Sequence, residues 1–164
     1  MDELDPRVAE ALKQYDIEAD VFVCEPEFAD TAQFCEKYGF KPEESANTIL
    51  IVNKKNLDQV VACVVLANTR LDVNKKVCQL METKKASFAS AEQTVAKTNM
   101  MIGGVVAIGL PKDMQIYIDE KVMNCDKIIM GGGNRSTKLV LKPQELTKLP
   151  HVHIIENLTL PVPS

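Results

Sequence analysis

Two apolar runs, Asn47-Thr48-Ile49-Leu50-Ile51-Val52 and Val60-Val61-Ala62-Cys63-Val64-Val65-Leu66, decide the fold of this chain. Both are rich in β-branched residues, which predicts two buried strands, and the polar residues 54–58 between them are typical of a hairpin connection. Because no helix separates these strands, the chain lacks the regular strand–helix alternation of a doubly wound parallel sheet. We therefore predict an α+β fold, with a mixed, largely antiparallel sheet or partial barrel and helices packed around it.

Shorter patterns on either side of this hairpin predict the remaining elements. Further strands are expected at 21–24, 86–89, 102–108, 115–119, 126–130, 138–141 and 152–155. Helices are expected at 6–15, 30–38, 71–80, 90–98 and 143–149, from capping residues or prolines at their starts. Residues 1–157 then form a single domain, and residues 158–164, which include two prolines, form an irregular tail.

Composition narrows the class of protein. A chain of 164 residues with 46% hydrophobic and 26% charged residues is typical of one globular domain, and no apolar run is long enough to span a bilayer. A net charge of −4 argues against a general nucleic-acid coat protein, and we expect no DNA partner. Paired lysines and the group Arg135, Lys138 and Lys142 form either a local basic face or, as the favoured alternative, scattered solvated charges. The acidic start has no signal sequence, so we expect a cytoplasmic protein without a membrane partner.

The cysteines and histidines give little evidence of a metal site. The five cysteines are widely spaced, include no CxxC pair and are expected to be reduced thiols, several of them in the core. His151 and His153 stand two apart on a predicted strand, as metal ligands could, but no third ligand lies near them in sequence. We expect neither a metal nor a cofactor.

Six of the seven glycines lie in two stretches, residues 102–111 and 128–135. Glycine is usually kept where the backbone approaches another group closely or adopts a positive φ. Neither stretch has the spacing of a Walker loop or of a dinucleotide-binding fingerprint. Two interpretations stay open: two walls of one pocket, lined by backbone N–H and C=O groups, or a pair of tight turns.

Polar residues beside the glycines are candidate binding groups. Asp119 follows an apolar run, where it either accepts hydrogen bonds from a substrate or starts a turn. Asn134 and Arg135 follow three glycines, and an arginine there suits a phosphate or carboxylate, such as one at the end of an RNA. An ordinary surface arginine is the alternative.

Several short motifs occur in a fixed order along residues 5–156: Asp30-Thr31-Ala32, Asn47-Thr48-Ile49-Leu50-Ile51-Val52, Leu71-Asp72-Val73, Ile102-Gly103-Gly104-Val105, Ile118-Asp119, Gly131-Gly132-Gly133-Asn134-Arg135 and Leu139-Val140-Leu141-Lys142-Pro143. As an ordered set they resemble the YbaK/ProX family of aminoacyl-tRNA editing domains, which also occur inserted in bacterial prolyl-tRNA synthetases. The resemblance implies a YbaK-like fold around a small pocket.

The resemblance also implies an activity, namely hydrolysis of the ester of a mischarged tRNA, such as Ala- or Cys-tRNA(Pro), without a metal. Backbone groups of Gly103, Gly104 and Val105 would lie at the aminoacyl carbonyl and stabilise its oxyanion, while a tRNA hydroxyl assists water. The size of the pocket would select the amino acid. The implied partners are the acceptor end of an aminoacyl-tRNA and a tRNA synthetase.

The chain departs from the family at one position. Many members carry a lysine where Asn47 stands, and the neutral Asn47 cannot supply that charge. We expect Asn47 to act as an orienting group beside the three backbone residues and Gly104→Val to abolish deacylation without loss of the fold. The residues expected to bind substrate are Thr48, Asp119, Gly131, Gly132, Gly133, Asn134 and Arg135. A catalytically inactive module that binds tRNA or a synthetase is the alternative, and a small-molecule binding protein is a weaker one.

Overall fold

The computed structural model describes residues 4–101 and 104–161 of the chain. Within them the strands are β1 (Asp20–Val23), β2 (Ala46–Asn53), β3 (Asn56–Leu66), β4 (Thr69–Leu71), β5 (Ala86–Phe88), β6 (Ile116–Asp119), β7 (Ile128–Gly131), β8 (Thr137–Leu141), β9 (Val152–Ile155) and β10 (Thr159–Pro161). The α-helices are α1 (Pro6–Gln14), α2 (Thr31–Tyr38), α3 (Cys78–Met81), α4 (Ala91–Thr98) and α5 (Glu120–Met123). A π-helical turn, Val73–Val77, precedes α3, and 3₁₀ turns lie at Pro26–Phe28, Pro42–Glu44 and Pro143–Lys148.

The central sheet has the strand order β5-β2-β3-β6-β9. β2 pairs antiparallel with β3 and β5, whereas β3, β6 and β9 run parallel to one another. A second, antiparallel sheet has the order β1-β8-β7, and β10 pairs antiparallel with β4. This confirms the predicted mixed, largely antiparallel α+β fold. Across the described ranges the sheets do not close into a barrel, although a parallel bridge from Ser45 to Ile129 joins the two larger ones.

The second half of β3, residues 61–66, is buried on both faces, which explains its uninterrupted apolar sequence. One alternate set of its residues lies in the main core between the sheets: Ala62, Val64 and Leu66. The other set packs under the π-helical turn and α3, in a second cluster: Val61, Cys63 and Val65. The hairpin is therefore the centre of the fold, with a core on each side of it.

Helix α2 packs on the second sheet through an aromatic cluster. The ring of Phe34 lies 5.6 Å from that of Phe22 and 5.3 Å from that of Phe40, measured between ring centroids. The helix ends, as predicted, at Gly39, whose φ of 79° is left-handed. This packing holds the first turn of α2 beside β2 and β8.

The structure differs from the prediction at the hairpin connection and at residues 102–108, as well as by a few residues at other boundaries. The hairpin connection is the two-residue turn Lys54-Lys55, because β3 already begins at Asn56. The strand predicted at 102–108 is wrong over its described part. Val106, Ala107 and Ile108 are fully buried, but their backbone joins no sheet, and burial alone produces the same apolar pattern as a strand. Ile102 and Gly103 lie outside the described residues.

The expected irregular tail is also wrong over Thr159–Pro161, which form β10. Leu158 is fully buried in the second cluster, and the hydroxyl of Thr159 donates a 2.6 Å hydrogen bond to the buried carboxylate of Asp119. These contacts tie the tail to the fold. Residues 162–164 lie outside the described part, in which no helix has the length and apolar character needed to cross a membrane.

Candidate functional site

A cavity of about 320 Å³ lies where β2, the first turn of α2 and the β7–β8 hairpin meet. β2 contributes residues 46–50, and α2 with its N-cap contributes Asp30, Thr31 and Phe34. The second sheet supplies Ile129, Met130, Gly131 and Lys138, and Phe88, Ala89, Thr94 and Val105 complete the wall together with Ser45. The cavity is partly open to solvent, and the lining residues Phe88 and Asp30 are both exposed.

Lys138 is the cavity-lining residue whose role sequence reasoning missed. The sequence predicts an exposed lysine here, either on a local basic face or as a scattered solvated charge, but Lys138 is only 7% exposed, and its Nζ lies 5.3 Å from the centre of the Phe34 ring. Burial lowers the pKa of this ammonium, while the nearby Asp30 carboxylate opposes the shift. The signal in the sequence was a single lysine inside the apolar strand Thr137–Leu141. Burying a charge costs free energy, so a lysine in such a strand is a candidate functional residue.

Strand register explains how a lysine fits at this position. Lys138 pairs with Phe22 on one side and with Gly131 on the other. Since Gly131 has no side chain, the lysine does not meet a facing side chain across that pair. An added Cβ at Gly131 would lie 2.6 Å from the carbonyl oxygen of Gly104, so a larger residue is excluded there.

Asn47 and Thr48 both line the cavity, as predicted, but they differ in their hydrogen bonding. The Asn47 Oδ1 accepts a 2.8 Å hydrogen bond from the hydroxyl of Thr31 at the start of α2. The Asn47 Nδ2 has no partner within the described part of the chain, so it is available as a donor. The hydroxyl oxygen of Thr48 is buried and likewise has no partner there.

The two glycine stretches pack directly against each other instead of facing each other across a pocket. Gly133 N–H donates to the Gly104 carbonyl at 2.6 Å, and an added Cβ at Gly104 would lie 2.0 Å from the Asn134 carbonyl oxygen. Gly132 is packed against Thr137, and Gly133, with φ of 92°, is packed against Asp5 and Val8. Of the described glycines in these stretches, Gly131 alone lines the cavity. The expectation that Gly132 and Gly133 form its opposite wall is therefore wrong.

The predicted role of Gly104 also needs correction. Its N–H donates to the Met101 carbonyl at 2.9 Å, so it is not available to an oxyanion in this structure. The expectation that Gly104→Val spares the fold is wrong, because a side chain there would meet backbone. Val105 does line the cavity, and its N–H has no partner among the residues described. Gly103 lies outside those residues.

The remaining predicted binding residues make hydrogen bonds or ion pairs within the protein, beside the cavity for Asn134 and Arg135 and away from it for Asp119. The Arg135 guanidinium pairs with Asp30 at 3.1 Å and donates to the Pro26 carbonyl at 3.0 Å, which fixes the β7–β8 connection to the start of α2. The Asn134 side-chain oxygen accepts from Ser136 and Thr137 within the turn. Asp119 is fully buried away from the cavity and caps α5 through the Lys121 N–H. The turn interpretation of Asp119 was the correct one.

The burial of the cysteine thiols and the positions of the two histidines are also defined in the structure. Cys24, Cys35, Cys63 and Cys78 are buried and, like the partly exposed Cys125, are free thiols, as expected. His151 lies in a turn and His153 contacts Gln115, so they do not form a pair on one strand face. No cluster of three or more potential metal ligands occurs within residues 4–101 and 104–161.

Fold and cavity together define a small α+β domain with a half-open pocket lined by a buried lysine, hydroxyl groups and backbone. The family model of the aminoacyl-tRNA editing domain matches residues 25–149, a span that includes every residue lining the cavity. The chain therefore belongs to the aminoacyl-tRNA editing domain family. Membership supports a deacylase role over the inactive binding module considered above.

Individual relatives are similar to the chain over most of its length. YwhH of Bacillus subtilis (strain 168) is 28% identical over 135 residues, which cover 82% of this chain and 83% of YwhH. EbsC of Enterococcus faecalis, a candidate Cys-tRNA(Pro)/Cys-tRNA(Cys) deacylase, is 26% identical over 124 residues, covering 76% of this chain and 74% of EbsC. The crystal structure of a candidate trans-editing enzyme for prolyl-tRNA synthetase has a TM-score of 0.80 at 21% identity, covering 94% of this chain and 98% of that one. This last likeness shows the fold.

Proposed function

We propose that the protein is a trans-acting deacylase that hydrolyses the ester of a tRNA mischarged with a small amino acid. The observation that carries this proposal is the cavity, in which a buried lysine, an asparagine amide and a free backbone N–H line one small space. Its volume of about 320 Å³ is at the lower end of the range for small-ligand sites, roughly 300–1,000 Å³, and suits an aminoacyl group better than a whole nucleotide.

The reaction consumes one water molecule. Water adds to the ester carbonyl carbon, the bond from that carbon to the ribose oxygen breaks, and a proton passes to the ribose oxygen. The products are the free amino acid and a tRNA with a free terminal hydroxyl. The negative charge that develops on the carbonyl oxygen needs preorganised donors, which commonly contribute the largest part of such catalysis.

We assign the donors to Val105 and Lys138 in place of Gly104. The Val105 N–H has no protein partner in the described chain, and Lys138, which lines the same cavity, is only 7% exposed. A positive charge at a partly buried position interacts more strongly with an oxyanion than it would in bulk water, because the effective dielectric constant is lower there. Lys138 thereby supplies the charge that Asn47 cannot.

Asn47 then has an orienting role. The Thr31 hydroxyl donates a hydrogen bond to the Asn47 Oδ1 and so fixes the orientation of the amide. The Nδ2 can then donate a hydrogen bond to an ester or ribose oxygen of the substrate. The acceptor end of the tRNA is the proposed partner at the open side of the cavity, and a tRNA synthetase is a second one. The cytoplasm is the proposed location, since mischarged tRNA has to be cleared before the ribosome uses it.

A deacylation screen tests the proposal. Wild type, Asn47→Lys and Lys138→Met are assayed against tRNAs charged with Ala, Cys, Ser, Pro and Thr, with Lys142→Met as the control, since Lys142 is exposed just beyond β8. We expect turnover by wild type and Lys142→Met and at least a tenfold loss in Lys138→Met. Turnover in Asn47→Lys alone would favour a binding module, and no turnover in any variant would overturn the proposal.

A further inference from the structure

The hydroxyl of Thr48 is a buried polar group without a hydrogen-bond partner in the described part of the chain. Among the buried side-chain nitrogen and oxygen atoms of the described residues, the Thr48 Oγ1 alone has no hydrogen-bond partner. Burying a hydroxyl without a partner costs about 1–3 kcal/mol, and native proteins rarely retain such a group without a reason. A valine at this position would have the same shape without that cost.

Strand geometry places this hydroxyl on the core side of the cavity. Thr48 is paired with Val64, and it lies between Ala46 and Leu50 on one face of β2. Ala46, Leu50 and Val64 all belong to the main core. The wall around the hydroxyl is therefore apolar, whereas the charged pair of Asp30 and Arg135 lies on the α2 side.

We propose that Thr48 determines specificity by hydrogen-bonding the side chain of the aminoacyl group, so that the site prefers a small amino acid with a polar γ atom. A seryl hydroxyl can both donate to and accept from the Thr48 Oγ1. An alanyl group, which lacks only that atom, leaves the Thr48 hydroxyl unpaired. A cysteinyl thiol is a weaker partner and ranks between the two.

The position of Thr48 favours the amino acid over the rest of the tRNA as its partner. Phosphates and ribose are strongly hydrated and belong with the exposed lining residues Phe88 and Asp30, whereas the Thr48 hydroxyl oxygen is buried. The amino-acid side chain is the part of the ester that is assigned to this buried position. A site that hydrogen-bonds a substrate hydroxyl rejects the analogue lacking it far better than an apolar pocket rejects an extra methylene.

This inference rests on the proposed function for the identity of the ester, and its test uses two variants with opposite changes. Thr48→Val keeps the shape and removes the hydroxyl, while Thr48→Ser keeps the hydroxyl and removes the methyl group. The ratio of kcat/KM for Ser-tRNA over Ala-tRNA is measured for each. We expect the wild-type preference for serine to fall by about fivefold to tenfold in Thr48→Val and to be largely retained in Thr48→Ser.

A binding measurement separates the two proposals. The affinities of wild type and Thr48→Val are compared for non-hydrolysable amides, 3′-seryl- and 3′-alanylamino-3′-deoxyadenosine. If wild type binds the seryl analogue more tightly than the alanyl analogue and Thr48→Val does not, the inference is supported. This holds even if no ester is hydrolysed, because absence of hydrolysis would overturn only the deacylase proposal. An equal ratio in wild type and Thr48→Val overturns the inference even if deacylation continues. Thr48→Val should also unfold at a temperature no lower than wild type, because it buries no unpaired hydroxyl.

Discussion

The Gly133 N–H and the Gly104 carbonyl oxygen lie 2.6 Å apart and join two glycine segments that are 29 residues apart in sequence by a hydrogen bond. Gly131 approaches the same carbonyl, so the two segments meet through backbone without side chains between them. This contact fixes the position of Val105 and Lys138 at the cavity, and of the described glycines in the two segments only Gly131 lines it.

Replacing Gly104 with alanine should destabilise the protein more than the same change at Gly39. The new Cβ at position 104 would lie 2.0 Å from the Asn134 carbonyl oxygen, so backbone has to move, and we expect a loss of about 3 kcal/mol in the free energy of unfolding. At Gly39 there is open space, and only the positive φ of 79° opposes alanine, at a cost of about 1–2 kcal/mol. Urea unfolding of both variants measures the difference. Equal losses would contradict the close packing of the two glycine segments.

Lys138 should make stability depend on pH in the alkaline range. Its pKa is lowered by burial in the folded protein, so between that lowered pKa and about 10.4 the unfolded chain binds more protons than the folded one. The contribution of Lys138 to stability therefore rises as pH rises through this window. We expect Lys138→Met to be at least as stable as wild type at neutral pH, with the difference narrowing toward pH 10. Thermal unfolding across pH measures this, and a constant difference would contradict burial of the ammonium.

The bond between Thr159 and Asp119 should contribute measurably to stability. Thr159→Val leaves the buried Asp119 carboxylate with one partner fewer, and we expect a loss of about 2 kcal/mol. Thr147→Val is the matched control, because the Thr147 hydroxyl bonds only the nearby Gln144 carbonyl at the surface and its loss should cost less than about 0.5 kcal/mol. Denaturant unfolding compares them. Similar small losses would indicate that β10 does not hold Asp119 in solution.

The thiols should react with an alkylating agent in a set order. Cys125 is the partly exposed one and should be modified first, although nearby Glu44 and Asp126 add to the burial that raises the pKa of its thiol. Cys63 should be modified last, since it is fully buried and burial raises its pKa to about 12. Mass spectrometry of the native protein after timed exposure to iodoacetamide gives the order. Early labelling of Cys63 would contradict its position in the core.

Local sequence signals predicted much of the fold. The β2–β3 hairpin, the αL stop at Gly39 and the capping box of Ser90 and Gln93 all follow from residues close together in the chain. The strands β4 and β10 were missed because three-residue strands have too little pattern to detect, and they form only through their mutual pairing. The apolar residues 106–108 were misassigned because burial by distant segments mimics a strand.

The site was harder to predict than the fold, because its key contacts join residues far apart in sequence. Asn47 and Thr48 were identified through the family resemblance at the start of β2, but nothing local shows that the Thr48 hydroxyl has no partner. The burial of Lys138 depends on α2 covering β8 and on Gly131 lying beside it. Arg135 looked like a ligand-binding group because its partner Asp30 lies 105 residues away.

The walls of the cavity come from segments between Asp30 and Lys138. The second sheet contacts the start of β2 through the bridge from Ser45 to Ile129, two residues that are far apart in sequence. Pairings of this kind form late in folding, after local hairpins and helices. A nascent chain that has not yet been synthesised past Lys138 lacks part of the cavity wall. The complete pocket therefore requires most of the domain, and an N-terminal fragment that ends before β8 cannot form it.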